Sequence, residues 1–359
     1  MELTMPDKSN GFQFNISELH AYYGFCKNLN DLKSTSSGGA ATIIAREFVR
    51  RKYVVFGVKY SDDFKRAEYC CIDNEKDLEK LKGSKYVQTE RYVEYKGERF
   101  FLFSLVEKLL RNGQSVLFIG LGCTVGALRF YLKKHSVDSS NLYVIELLCH
   151  SLPVKQVQSA YIESLETMYD AEISEFSMRY KGRKMLPIKI HAKFRNGKEF
   201  TVPSLDADLT FVSSILVRKS CYHCHFKGNG HMGDLIVGDY WGITKKMEGY
   251  NKNGVSLLIV KNAVGKRMID MVSPKDFEMG ETDIEYALKN NKMYFTSTPK
   301  HKFRDMAMQD LDKYGISFVA KKYQNKLVYL LKKCNLYSFL VTYTPRSIKN
   351  LIMRYVLKQ

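Results

Sequence analysis

Apolar residues fall at two spacings along the chain. Three stretches repeat them at helical intervals: AATIIAREFVRR (40–51), which follows the Gly/Ser turn of residues 34–39; FFLFSLVEKLLR (100–111), which stops at Asn112-Gly113; and residues 154–170. YVVFGVKY (53–60) and residues 67–72 read as strands, and 73–82 as a short charged helix. Residues 115–119 read as a buried-type strand and 141–148 as a second, largely apolar strand, and 124–135 between them reads as a helix. Strand, helix and strand in that order predict a right-handed βαβ unit. Both of its strands end on one sheet edge, where open α/β sheets bind their ligands. From Ala171 to Val202 the pattern shortens to alternating strands, 188–194 being the clearest. A helix running to Arg218, a polar loop over 219–233, and strands at 234–238 and 256–262 follow. From about Lys300 the chain reads as helical and basic. Residues 1–33 read as polar and irregular.

These elements predict an α/β chain (mixed α+β) with a central mixed sheet, βαβ units, flanking helices and a basic helical C-terminal extension. Four segments are expected: an irregular N-terminal remnant (1–33), an N-terminal subdomain (34–114), a C-terminal domain (115–299) and the basic tail (300–359). The 359 residues are 45% hydrophobic and 26% charged, which excludes wholesale disorder. No run of about 18 apolar residues offers a membrane span. MELTMPDKSNGFQFN lacks the apolar core of a secretory signal, so a cytoplasmic protein is expected.

Charge changes the picture more than length does. The formal net charge is +18, and residues 301–359 hold 12 Lys/Arg against 3 Asp, so +9 sits in the last sixth of the chain. An anionic partner is implied: nucleic acid, a membrane surface or an anionic ligand. The 24 Tyr and 21 Phe lie in apolar runs rather than alternating with Lys/Arg, which argues against nucleic acid. In 337–359, Ile348, Leu351, Ile352, Tyr355 and Val356 share one helical face beside Arg346, Lys349, Arg354 and Lys358. That face suits docking on the chain's own domain or peripheral contact with the inner membrane face.

The eight cysteines supply the candidate chemistry. Cys221 and Cys224 form a C-x-x-C, while Cys123 and Cys149 each follow one strand of the βαβ unit. Four thiols suit a tetrahedral metal or an iron–sulfur cluster, although lone cysteines are also common core residues. His150, His223, His225 and His231 are spare donors nearby. Ser36-Ser37-Gly38-Gly39 opens a helix, as a phosphate cradle or a plain cap. Gly120-Leu-Gly-Cys123 is a second turn of that kind. Lys85, Arg179 and Lys181 could bind anions. Asp234 and Asp239 flank the approach to Trp241, the only tryptophan, which suits a flat ring or plain core packing.

In order along the chain, SSGG (36–39), GSKYVQ (83–88), VLFIGLGC (116–123), LLCHSLP (147–153), MRYK (178–181), RKSCYHCHF (218–226) and GDLIVGDYWGI (233–243) resemble the coenzyme F-420 hydrogenase/dehydrogenase beta-subunit family. The likeness spans roughly residues 20–275 and is nearest to the bacterial branch associated with polysaccharide biosynthesis. It implies a flavoprotein carrying FAD and one [4Fe–4S] cluster, with 34–114 as a flavoprotein subdomain and 115–299 as the cluster- and flavin-binding domain. Cys123 matches the family's G-T-P-C-Q turn, Cys149 its C-H-G-x-P, and Cys221 and Cys224 its S-C-Y-x-C, which makes these four the implied cluster ligands. Ser37, Gly38, Gly39, Ser84, Lys85, Gly120 and Arg179 match positions expected around the flavin. The turn here is Gly-Leu-Gly-Cys-Thr and the second motif Cys-His-Ser. The two C-x-x-C-x-x-C runs of an N-terminal ferredoxin segment are missing, residues 1–30 holding only Cys26, although DKSNGFQFN (7–15) resembles a stretch inside such a segment.

Two functions follow. One is an iron–sulfur flavoprotein oxidoreductase, taking electrons from a ferredoxin-type, flavin or deazaflavin donor and working with glycan-biosynthesis proteins. The alternative is a zinc-stabilised module that binds anions or nucleic acid without redox activity.

Overall fold

A computed structural model describes residues 18–344. In chain order the elements are β1 (His20–Cys26), α1 (Leu29–Ser34), α2 (Ala40–Arg50), β2 (Val54–Tyr60), β3 (Ala67–Ile72), α3 (Leu78–Leu81), β4 (Thr89–Glu90), β5 (Tyr92–Tyr95), β6 (Glu98–Phe101) and α4 (Leu102–Arg111). Next come β7 (Val116–Leu121), α5 (Gly122–Lys134), β8 (Leu142–Leu147), α6 (Lys155–Tyr169), β9 (Ile173–Tyr180), β10 (Lys189–Phe194), β11 (Glu199–Pro203) and α7 (Asp208–Ile215). The chain continues through β12 (Leu235–Asp239), β13 (Ser256–Val260), α8 (Ala263–Asp270), β14 (Phe277–Thr282) and α9 (Ile284–Asn290). It ends in α10 (Arg304–Tyr314), α11 (Ile316–Tyr323), α12 (Lys326–Lys333) and α13 (Leu336–Tyr343).

The expected mixed sheet is present, with nine strands in the order β14-β1-β13-β12-β8-β7-β2-β3-β4. Its centre is parallel: β2 pairs with β7, β7 with β8, and β8 with β12. The fully buried residues Val116–Phe118 and Val144–Ile145 fill the middle strands and have helices on both faces. That double burial is why their sequence reads as largely apolar, with Glu146 the one charged residue in β8. The βαβ unit forms as β7-α5-β8.

Residues 1–33 are not irregular throughout. Residues 20–26 form β1, inside the sheet between β13 and β14. Its signal is weakened by Gly24, where the Phe277 ring and the Glu278 carbonyl pass so close that a Cβ would stand 2.3 Å from the ring. Phe100 and Phe101 are strand rather than helix, because Lys96 (φ 51°) and Gly97 (φ 82°) turn β5 back onto β6 as a hairpin. The helix expected to reach Arg218 stops at Ile215, where the backbone of 216–218 bonds to 152–154 instead.

A second core lies around the β9–β11 sheet, α6 and α7, and it is completed by Ala307, Leu311, Ile316, Val319 and Ala320 of α10 and α11. The first half of the basic extension is thus built into the protein. The helical face expected at Ile348–Val356 and the stretch 7–15 lie outside the described residues.

Candidate functional site

Strand direction brings the motifs to one edge. The C-terminal ends of β2, β7, β8 and β12 share it through their parallel pairing. β13 runs against β12 and β1 against β13, so β1 also ends there and delivers residues 34–39. β3 is antiparallel to β2 and β4 parallel to β3, so the segment 83–88, which leads into β4, arrives there too. The edge holds a cavity of about 420 Å³, within the range of small-molecule sites. Ser37, Gly39, Ser84, Lys85, Gly120, Cys123, Cys149 and Arg179 all line it.

The glycines act through space. Gly39 adopts φ 87° at the N-terminus of α2, and a Cβ there would stand 2.4 Å from Cys26 Sγ. Gly38 lies against the Gly24 carbonyl and the Ser256 amide, serving backbone contact rather than the cavity wall. The Ser37 hydroxyl donates to the Val255 carbonyl (2.8 Å), and that of Ser84 to Ser36 Oγ (2.8 Å).

The basic residues divide into satisfied and unsatisfied. Lys85 donates to the carbonyls of Lys80, Lys82 and Gly83, and burial pushes it down to about 8. Lys181 donates to the carbonyls of Leu32 and Ser37, clamping the Gly/Ser turn to β9, and burial pushes it down to about 7. Arg179 differs. Its Nη1 bonds Asp239 (2.7 Å) and faces the Tyr86 hydroxyl (3.3 Å), yet Nε and Nη2 are buried without an acceptor. A side chain only 8% exposed, with two unsatisfied N–H groups, fits an anionic or acceptor-rich ligand in the cavity it lines. Trp241 and Arg218 also line that cavity.

Cys123 and Cys149 line the cavity, and Cys221 and Cys224 lie near them. Burial pushes the Cys149 thiol up to about 12, with Lys227 opposing and with Cys123, Cys221 and Cys224 near enough to act on it through charge. Cys224 is likewise raised, chiefly by burial, with Cys123 and Cys221 among its neighbours. Cys26, Cys70 and Cys71 belong to the main-sheet cores, and Cys334 is exposed on the basic extension. Among the described residues, no three His, Cys, Asp or Glu side chains converge closely enough to hold one metal ion. A single tetrahedral zinc needs its thiolates about 2.3 Å from one point, whereas a four-iron cluster spreads them around a wider body. Four thiols with no carboxylate suit either a structural zinc or an iron–sulfur cluster.

Sequence reasoning missed what positions the cysteine loop. Gly122 and Gly126 on α5 leave room for Phe226, whose ring stands 2.2 Å from where a Gly126 Cβ would be. Lys227 bridges the carbonyls of Cys149 and Met293 (2.5 Å each), and the Ser297 hydroxyl accepts from the Cys224 amide (3.0 Å). Beneath, the Glu146 carboxylate accepts from the amides of Met232 and Gly233 and faces His231 Nδ1 at 2.6 Å. His231 is therefore engaged structurally and is not a spare ligand. Asp234 is engaged too, by Arg129, Asn262 and the Val144 amide. Such pairs are far apart in sequence and leave no local signal.

Residues 113–285 match the family model for the C-terminal part of the coenzyme F420 hydrogenase/dehydrogenase beta subunit. The matched segment holds all four motif cysteines, Gly120 and Arg179, and stops short of the Gly/Ser turn and Lys85 at the N-terminal side. A chain of the F420-reducing [NiFe] hydrogenase complex from Methanosarcina barkeri has a similar fold, with a TM-score of 0.52 at 14% identity. The similarity covers 83% of this chain and 94% of that one. No curated protein matches the chain. The match to residues 113–285 supports an oxidoreductase of the hydrogenase/dehydrogenase type.

Proposed function

We propose that the chain is an iron–sulfur flavoprotein oxidoreductase that holds FAD in the sheet-edge cavity and one [4Fe–4S] cluster on Cys123, Cys149, Cys221 and Cys224. The observation that carries the reading is a cavity lined by Cys123, Cys149 and a half-satisfied buried arginine, with Cys221 and Cys224 near those two thiols. Bound FAD supplies two-electron hydride chemistry and the cluster one-electron transfer.

The chain's own residues bind and orient. Arg179 offers Nε and Nη2 to an acceptor group of the flavin, and Asp239 fixes the guanidinium plane from the other side. Gly39 and Gly120 let the cavity-lining turns pack against Cys26 and against Tyr69 and Phe118, where a side chain would clash. Lys227 and Ser297 hold the cysteine loop through the Cys149 carbonyl and the Cys224 amide. Cys123 is the exposed one of the four, at the side from which a redox partner would approach. The donor is read as a ferredoxin-type carrier or a reduced flavin or deazaflavin. The likeness to the polysaccharide-associated branch directs the search for substrates to glycan precursors.

Anaerobic purification followed by iron, sulfide and flavin analysis tests this. The expected result is about four iron and four sulfide with one flavin per chain, and Cys149→Ala should remove the iron. A colourless, iron-free protein holding one zinc per chain would support the binding-module reading instead.

A further inference from the structure

Exposed apolar side chains are not spread evenly. Of the seventeen large hydrophobic residues exposed among the described residues, eight lie between Met306 and Tyr343. On α12 the outer face carries Lys326, Leu327, Leu330 and Lys333, while Val328 turns inward. On α13 the outer stripe is Leu336, Phe339 and Tyr343, at 49, 59 and 47% exposure, and the last two rings stand 5.1 Å apart. Ser338, on the opposite side, is held by Asp206, so the stripe faces outward by construction.

Charge on the same elements has one sign. From Lys313 to Gln359 the chain has ten Lys/Arg and no Asp or Glu. Some of these cations are neutralised, Lys322 by Asp310 and Lys333 by Asp208, and Lys332 is buried beside Asp206 and Asp208. Lys321 and Lys326 are exposed, and neither belongs to an ion pair among the described residues.

We propose that the outer faces of α12 and α13 dock on an anionic lipid surface. An apolar row beside lysines suits the bilayer interface, where leucine and aromatic side chains enter the acyl boundary and lysine stems reach back to the head groups. A nucleic acid would satisfy the lysines and leave the leucines and Phe339 without an apolar partner. A second copy would bury the apolar row while bringing like charges together. No helix among the described residues is long and apolar enough to span a membrane, so the contact lies on the surface. The inference rests on this face alone and does not depend on the redox reading.

Vesicle co-sedimentation of the full-length protein tests it, with phosphatidylcholine alone against phosphatidylcholine mixed with phosphatidylglycerol. Pelleting is expected only with the anionic vesicles. Lys321→Gln/Lys326→Gln should weaken it roughly 25-fold, about fivefold for each cation removed near the surface. Leu330→Ser/Phe339→Ser should weaken it about tenfold or more while leaving the circular dichroism spectrum unchanged. The proposal is overturned by failure to pellet, or by binding that the Leu330/Phe339 variant leaves intact, which would be adsorption by net charge alone. A dimer that this variant dissolves, or duplex DNA binding lost in the same variants, would assign the face to those partners instead.

Discussion

At the scale of single residues, the site is defined by what is satisfied and what is not. Lys85, Lys181 and Asp234 stand in motif positions just as Arg179 does, and all four side chains are ionisable. The first three have their hydrogen bonds met within the chain, whereas Arg179 has two buried N–H groups without an acceptor. A buried donor without a partner costs about 1–3 kcal/mol, which a ligand acceptor would recover. Arg179→Met should therefore weaken FAD retention tenfold or more, read as bound flavin after desalting, with the iron content unchanged. Arg179→Lys should recover only part of it, since an ammonium keeps the charge and loses the planar fork. Loss of iron along with the flavin would mean that the arginine supports the fold rather than the ligand.

At the scale of elements, local pattern succeeded where burial was uniform and failed where long-range contact overruled it. β7, α5 and β8 fall within about two residues of their expected bounds, because strands buried on both faces advertise themselves. β1 escaped because its glycine serves a neighbour's ring, and the end of α7 escaped because its backbone pairs with 152–154. The contact between α5 and the cysteine loop is of the same long-range kind. Phe226 seats on Gly122 and Gly126, a hundred residues earlier in the chain, and fixes the loop that carries Cys221 and Cys224. In Gly126→Val the added methyls have no space against that ring. The variant should keep its helical circular dichroism yet lose most of its iron on anaerobic purification. Full iron retention would show that the loop finds its place without Phe226.

At the scale of the molecule, the basic C-terminal region divides into a buried half and an exposed half that composition cannot tell apart. Leu311 is 4% exposed inside the second core, whereas Leu330 is 53% exposed. Leu311→Ala should cost about 2–4 kcal/mol in urea unfolding, and Leu330→Ala less than about 0.5. Equal small effects would mean that α10 is an appendage. The sequence by itself determined the α/β class and the βαβ unit, because hydrophobic period is a local property of the chain. Only the tertiary structure decided that the Gly/Ser turn, the Ser84-Lys85 segment, Arg179, Cys123 and Cys149 share one edge. Alternating parallel and antiparallel pairing carries them there, and no local pattern encodes which strands become neighbours. It also decided which charges remain free to meet a ligand, since a side chain's partners depend on burial and contact across hundreds of residues.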